Sequence, residues 1–150
     1  MDELHNRDVI DLLRERYEIL RRLAEEKWSK NNNIYISNSE WIILDKIYKK
    51  DPTISNVAKG VGFSRQATHK FIKSLEAKGL VEVSSVQNSK KHKAIRMTEF
   101  GEACYEKNAL YKAEIEQLLV NTLGAVHVTN LKNILNLHWD MEQHLKGEEF

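Results

Sequence analysis

The sequence predicts a mainly α fold in which one two-stranded β-hairpin interrupts a series of amphipathic helices. Three observations carry that expectation. Apolar residues recur every three or four positions over most of the 150-residue chain, the period of helices with one buried face. Hydroxyl residues suited to helix starts (Ser37, Ser64, Thr98) and glycines suited to helix ends (Gly62, Gly79) punctuate that pattern. Only residues 80–97 depart from it, with two β-leaning runs on either side of a polar hexapeptide.

Taken in order, Val9, Leu13, Tyr17, Leu20, Ala24 and Trp28 mark one long helix from about Asp2 to Lys30, ended by "NNN" at 31–33. In "SNSE" (37–40) the Ser37 hydroxyl can accept from the backbone N–H of Glu40 while the Glu40 carboxylate reaches back, so a capped second helix runs from about Asn38 to Lys49. Pro52 disfavours helical geometry at Asp51, making "KDPT" a turn. A short helix covers Ile54–Val61 and closes at Gly62, where a left-handed backbone is expected. Ser64 caps a helix that reaches Lys78 and stops at Gly79. "LVEVSSV" (80–86) and "KAIRM" (93–97) form a hairpin with "QNSKKH" at its tip. Thr98 caps a further helix through Leu123, and a last helix, about Val126 to Leu145, displays Leu131, Ile134, Leu135, Trp139 and Leu145.

Composition bounds the function. The chain is 41% hydrophobic and 30% charged, as suits a soluble helical domain. Its start, "MDELHNRDVIDLL", lacks a basic segment followed by an apolar one, and no apolar run approaches the roughly 20 residues that span a bilayer. The expectation is a cytoplasmic protein with no membrane partner. Cys104 is the sole cysteine, which excludes an internal disulfide, and a packed thiol is expected rather than an oxidant sensor. His138 and His144, six residues apart, fall on different helical faces, so no metal site is expected there or with His127. No phosphate-binding glycine loop, HExxH, nucleophile elbow or spaced carboxylate pair stands out, so no enzymatic activity and no cofactor are expected.

Net charge is only +1, but it is unevenly placed. Residues 64–96 hold eight Lys and Arg (Arg65, Lys70, Lys73, Lys78, Lys90, Lys91, Lys93, Arg96) against Glu76 and Glu82. That segment is therefore +6, and the rest must be −5 to leave +1. A basic patch on an acidic scaffold is an electrostatic footprint for nucleic acid. On the 64–78 helix, Thr68, Phe71, Ile72 and Leu75 form the inner face. Gln66, Lys70 and Lys73 point outward, with Arg65 and His69 on the flanks. Together with the preceding short helix this is a helix-turn-helix by spacing. The basic tip (Lys90, Lys91, His92, Lys93) makes the hairpin a wing. Arg65 and Gln66 are the candidate base readers. Lys70, Lys73, Lys90, Lys91 and Lys93 are candidate phosphate contacts, as is Ser64 beside the positive helix end. Apolar stripes on the first helix (Leu4, Val9, Leu13, Trp28) and the last (Leu131, Leu135, Trp139, Leu145) exceed what a single winged module needs, which points to a homodimer.

The order of these pieces, with "SEWIILDKI", "TISNVAKGVGFSRQATHKFIKSLEAKGLVEV" and "IRMTEFGEACYEK", resembles the MarR (multiple antibiotic resistance regulator) family over nearly the whole chain. "LEAKGLVEV" and "MTEFG" are the most specific pieces. The resemblance implies a bacterial regulator, a repressor in the first instance, whose first and last helices (about 1–36 and 100–150) interlock in a dimer. Two winged lobes (about 37–99) would then read a pseudo-palindromic duplex. It also implies a small aromatic or anionic effector, for which Tyr17, Trp28, Trp41, Tyr48, Tyr105 and Tyr111 are candidates whose helical spacing reads first as ordinary core. Two stretches depart from the family pattern, the wing tip and one core position of the 64–78 helix. Ser89, Lys90 and Lys91 stand where Asp-Arg-Arg is usual, which favours phosphate contact over minor-groove insertion. Thr68 stands where an aliphatic residue is common, and suits a helix if its hydroxyl bonds back to a carbonyl. The alternative reading is a winged-helix module that docks an acidic protein partner.

Overall fold

A computed structural model describes residues 7–86 and 92–145. Six helices and one two-stranded antiparallel sheet follow in the order α1 (Val9–Asn31), α2 (Asn38–Ile47), α3 (Ile54–Val61), α4 (Arg65–Ala77), β1 (Val81–Ser85), β2 (Lys93–Met97), α5 (Glu99–Leu123) and α6 (Ala125–Asn136). A 3₁₀ turn, Glu142–His144, comes last. This is the mainly α winged-helix architecture that the periodicity predicts. The described residues form two compact units, one of Tyr35–Lys107 and the other of residues 7–34 together with 108–145.

In the hairpin-bearing unit each helix start is chemically marked. Ser37 and Glu40 form the reciprocal capping box at α2. Thr53 accepts from the Asn56 N–H at 3.1 Å to cap α3, and Ser64 accepts from the Ala67 N–H at 3.1 Å to cap α4. Such caps contribute about 1 kcal/mol each. The core is Ile43, Leu44, Ile47, Val57, Ile72, Leu75, Leu80, Val81 and Ile95, all nearly or fully buried. β1 and β2 pair in register Val81↔Met97, Glu82↔Arg96 and Val83↔Ile95, so alternate residues face that core. Gly62, at φ 74°, makes the left-handed turn between α3 and α4 that was expected of it, and Phe63 braces the turn edge-on against Phe71 at 5.6 Å.

The end of α4 closes in a Schellman motif. Gly79 (φ 76°) donates to the Glu76 carbonyl and Leu80 donates to that of Leu75, each at 3.0 Å, with Leu75 and Leu80 fully buried together. Thr98 locks onto this turn. Its N–H donates to the Leu80 carbonyl at 3.0 Å, and its hydroxyl donates to the Gly79 carbonyl at 2.7 Å while accepting from the Gly101 N–H at 2.9 Å. "LEAKGLVEV" and "MTEFG" are thus two halves of one hydrogen-bonded joint.

In the other unit, Trp28 is the buried residue of α1. Its indole N–H donates to the Ile34 carbonyl at 2.8 Å, and its ring meets Tyr111 of α5 edge-on at 6.1 Å. Lys27 pairs with Glu114 at 2.9 Å, and Lys132 of α6 with Glu116 of α5 at 2.7 Å.

Two expectations need correction, and one contact is unforeseen. α1 starts at Val9 rather than Asp2, because Asp8 is extended and its carboxylate caps the Asp11 N–H at 2.8 Å; Leu4 lies outside the described residues. The last helix ends at Asn136 rather than Leu145. There the backbone turns extended at Leu137, and the Trp139 indole N–H takes the Ile134 carbonyl at 2.9 Å, occupying one of the acceptors that further helical turns would use. The hairpin also has an unforeseen neighbour: the Ile95 N–H donates to the Pro52 carbonyl at 3.0 Å and Thr53 bridges Ala94, tying the start of α3 to β2.

Candidate nucleic-acid interface

The basic residues of the hairpin-bearing unit reach the surface because α4 spends its other face on the core. Thr68, Ile72 and Leu75 are buried, while Ser64, Arg65, Gln66, His69, Lys70 and Lys73 are exposed. The Thr68 hydroxyl donates to the Ser64 carbonyl at 2.9 Å, the back-bonding that lets a threonine sit in this core.

Two adjoining stripes result. Gln66, Lys70 and Lys73 follow helical spacing on the outward face. Arg65, His69, Lys73 and Glu76 line one wall of an open cleft of about 430 Å³, whose other walls are the start of α3 (Thr53, Ser55) and the base of the wing (His92, Lys93). The bridge between Thr53 and β2 holds those walls together. The cleft therefore gathers four of the sequence-predicted site residues, Arg65, His69, Lys73 and Lys93. Ser64, Gln66 and Lys70 lie on the same helix outside it, and Lys90 and Lys91 fall outside the described residues.

Not every cation of the basic segment is available. Lys78 turns inward, its ammonium 2.7 and 2.9 Å from the two oxygens of buried Glu40. Arg96 forks onto the opposed Glu82 at 3.0 and 3.1 Å. Among the described residues Arg65, Lys70, Lys73 and Lys93 form no ion pair. Sequence reasoning missed Thr53, Ser55 and Glu76 as cleft residues. The sequence places Thr53 only in the "KDPT" turn, and nothing local marks the cleft.

Glu40 itself is only 2% exposed. Burial pushes its carboxyl pKa up, but the Lys78 ammonium and the Ser37 backbone and hydroxyl hydrogen bonds outweigh that and hold it below the ordinary value. Its contribution to stability is therefore complete above the ordinary carboxylate pKa and is lost as pH falls through the lower, folded one. Elsewhere in this unit Tyr48 and Tyr105 stack at 4.2 Å and donate to Glu106 and Asp45, each at 2.6 Å. Burial and the bond to Asp45 push the Tyr105 hydroxyl up to about 12. Cys104 is buried, and that burial raises its thiol pKa despite nearby Lys107, which favours the unreactive thiol form.

A winged helix-turn-helix with a cationic, solvent-facing second helix defines the class, and the chain has the fold of MarR-type transcription regulators. It is similar to Staphylococcus aureus MepR, a transcription regulator of the multidrug efflux pump MepA, with a TM-score of 0.69 and 21% identity over 93% of this chain and 100% of that one. It matches MepR in its DNA-binding conformation at a TM-score of 0.70, again with 21% identity and the same coverage. Apo MarR from E. coli aligns at 0.71, with 22% identity over 86% of this chain and 95% of that one. No protein-family model matches the chain, and no curated protein matches it in sequence. Among the described residues, no helix is long and apolar enough to cross a membrane.

Proposed function

We propose that this protein is a cytoplasmic, sequence-specific regulator of transcription that binds duplex DNA as a homodimer. The observation that carries this reading is the joint presentation of Arg65, His69 and Lys73 on α4 with Lys93 on the wing around one open cleft, its lysines and arginine free of carboxylate partners among the described residues. A helix of this size fits the major groove, and a flanking cationic hairpin can meet the adjacent phosphates. Residues 37–99 form the DNA-binding lobe on this reading, with Lys90 and Lys91 extending the wing's phosphate contacts. Repression, and release by a small aromatic or anionic effector, complete the proposal and rest on the likeness to MarR-type regulators alone.

Arg65 and Gln66, near the N-terminus of α4, are the base readers, and Lys70, Lys73 and Lys93 position the protein on phosphates. Replacing Arg65 by alanine is expected to cost about 1–3 kcal/mol on a duplex selected for tight binding and much less on random duplex. Lys93→Ala should weaken both alike. Fluorescence anisotropy on the two duplexes checks this, and equal losses for Arg65→Ala on both would remove it as a reader.

The dimer is supported by apolar surface that the chain leaves uncovered. Val9, Ile10 and Leu13 of α1, Leu131, Ile134 and Leu135 of α6, and Trp139 beyond it are all exposed, Ile10 by 75%. So many large apolar side chains exceed the scattered singles of an ordinary monomer surface. Residues 1–36 and 100–150 are assigned to this role, with a two-fold axis placing the two α4 helices about 34–36 Å apart to meet successive major grooves. Light scattering at micromolar concentration should give twice the chain mass; the mass of a single chain would refute the dimer.

A further inference from the structure

The buried Glu40 carboxylate does more than cap its own helix. Its Oε1 accepts from the Ser37 N–H at 2.9 Å and from the Lys78 ammonium at 2.7 Å. Its Oε2 accepts from the Ser74 hydroxyl at 3.1 Å and again from Lys78 at 2.9 Å. One side chain at the start of α2 therefore holds Ser74 in the last turn of α4 and Lys78 at its C-cap, which lie 34 and 38 positions away. Lys78 is further seated over the Tyr35 ring at 5.3 Å.

The side chains that α4 buries are Thr68, Ile72 and Leu75, whose packing on the core is non-directional and permits a helix to roll or slide; the bonds of Thr98 to the Gly79 and Leu80 carbonyls hold the turn after the helix rather than its side chains. A carboxylate with all its bonds fixed does not permit this, because any rotation of α4 leaves a buried charge short of partners. A roll of α4 about its axis would swing Arg65 and Gln66 away from base edges, whereas phosphate contacts through long lysine side chains would adapt.

We infer that Glu40 and Lys78 are positioning residues for sequence readout: the buried pair fixes the roll of α4 and so determines discrimination between duplexes, without itself touching DNA. This rests on the DNA-binding reading above. Lys78 is counted among the basic residues of the segment, but its charge is spent on Glu40, and its loss should leave the electrostatic part of binding unchanged.

The test compares dissociation constants for a duplex selected from a random pool and for random duplex, at one salt concentration. Glu40→Gln and Lys78→Ala are each expected to lower the ratio of the two by about tenfold, the worth of one lost base contact. Affinity for random duplex should stay within about twofold, and its salt slope should not move. Lys78→Arg, which keeps a cation and hydrogen-bond donors, is expected to retain the wild-type ratio. Should Glu40→Gln fail to fold, Lys78→Ala carries the test, since that side chain is 24% exposed and its removal leaves the capping box in place. An unchanged ratio in Lys78→Ala, with only a lowered unfolding midpoint, would overturn the inference and leave the pair purely structural. A fall in ratio that Lys78→Arg shares would overturn it as well. Wild-type protein that shows no preference for any selected duplex would instead refute the DNA-binding reading itself.

Discussion

Gly101→Ala is expected to destabilise the protein by more than about 3 kcal/mol, the largest loss of any single methyl group added to the hairpin-bearing unit. A Cβ at Gly101 would overlap the backbone carbonyl oxygen of Leu80 and lie 2.7 Å from Met97 Cγ. The methionine can move, but the carbonyl cannot, because it already accepts from the Thr98 N–H at 3.0 Å in the joint between α4 and α5. Relief requires lifting α5 from the Schellman turn, breaking the Thr98 bonds to Gly79 and Leu80 together. For a chain of this size that loss corresponds to a fall of roughly 10 °C in the unfolding midpoint. Gly60→Ala is the control: it sits in α3 with nothing nearer than Lys46 at 4.0 Å, and alanine there should be neutral or slightly stabilising. Equal midpoints for Gly101→Ala and wild type, by circular dichroism, would contradict the packing described for this joint.

The second large effect is on binding. Replacing Lys70, Lys73 and Lys93 together by glutamine is expected to weaken binding to every duplex by about 100-fold at physiological salt. Each neutralised phosphate releases about 0.9 counterion, on the order of 1 kcal/mol per contact at 0.15 M, and three contacts give roughly two powers of ten. All three side chains are exposed and unpaired among the described residues, so folding should be untouched and the midpoint unchanged. Anisotropy titrations on random duplex measure the loss directly. A variant binding as tightly as wild type would place the nucleic-acid contact elsewhere.

Much of this architecture is legible in the residues because its determinants are local. Ser37 and Glu40 stand three residues apart and make the capping box that their spacing announces. Gly62 and Gly79 occur where a left-handed backbone is required, and Thr68 bonds back one turn to Ser64. What the residues conceal depends on distant partners. The basic segment counts Lys78 and Arg96 as cations for a ligand, yet Glu40 and Glu82 hold them, 38 and 14 residues away. Periodicity carries the last helix through Trp139 because that residue still falls on the apolar stripe, whereas the backbone turns extended at Leu137 and the Ile134 carbonyl accepts from the Leu137 N–H and the Trp139 indole. The α1 stripe exceeds what one winged module needs, and within the chain only Trp28 of α1 is buried, while Val9, Leu13 and Tyr17 stay exposed. The period identifies an apolar face without saying which molecule covers it. The cleft was half visible: the cations of α4 and the wing were marked by charge, but Thr53 and Ser55 join them only through the pairing of Pro52 and Thr53 with β2.

The central claim, that α4 and the wing together form a duplex-binding surface, is tested most directly by the salt dependence of duplex affinity. A plot of log affinity against log salt should be linear with a slope of roughly −0.9 per phosphate neutralised, about −3 for Lys70, Lys73 and Lys93 of one lobe, and steeper with Lys90 and Lys91 or for a dimer. A slope near zero, or no duplex binding even at low salt, would contradict it.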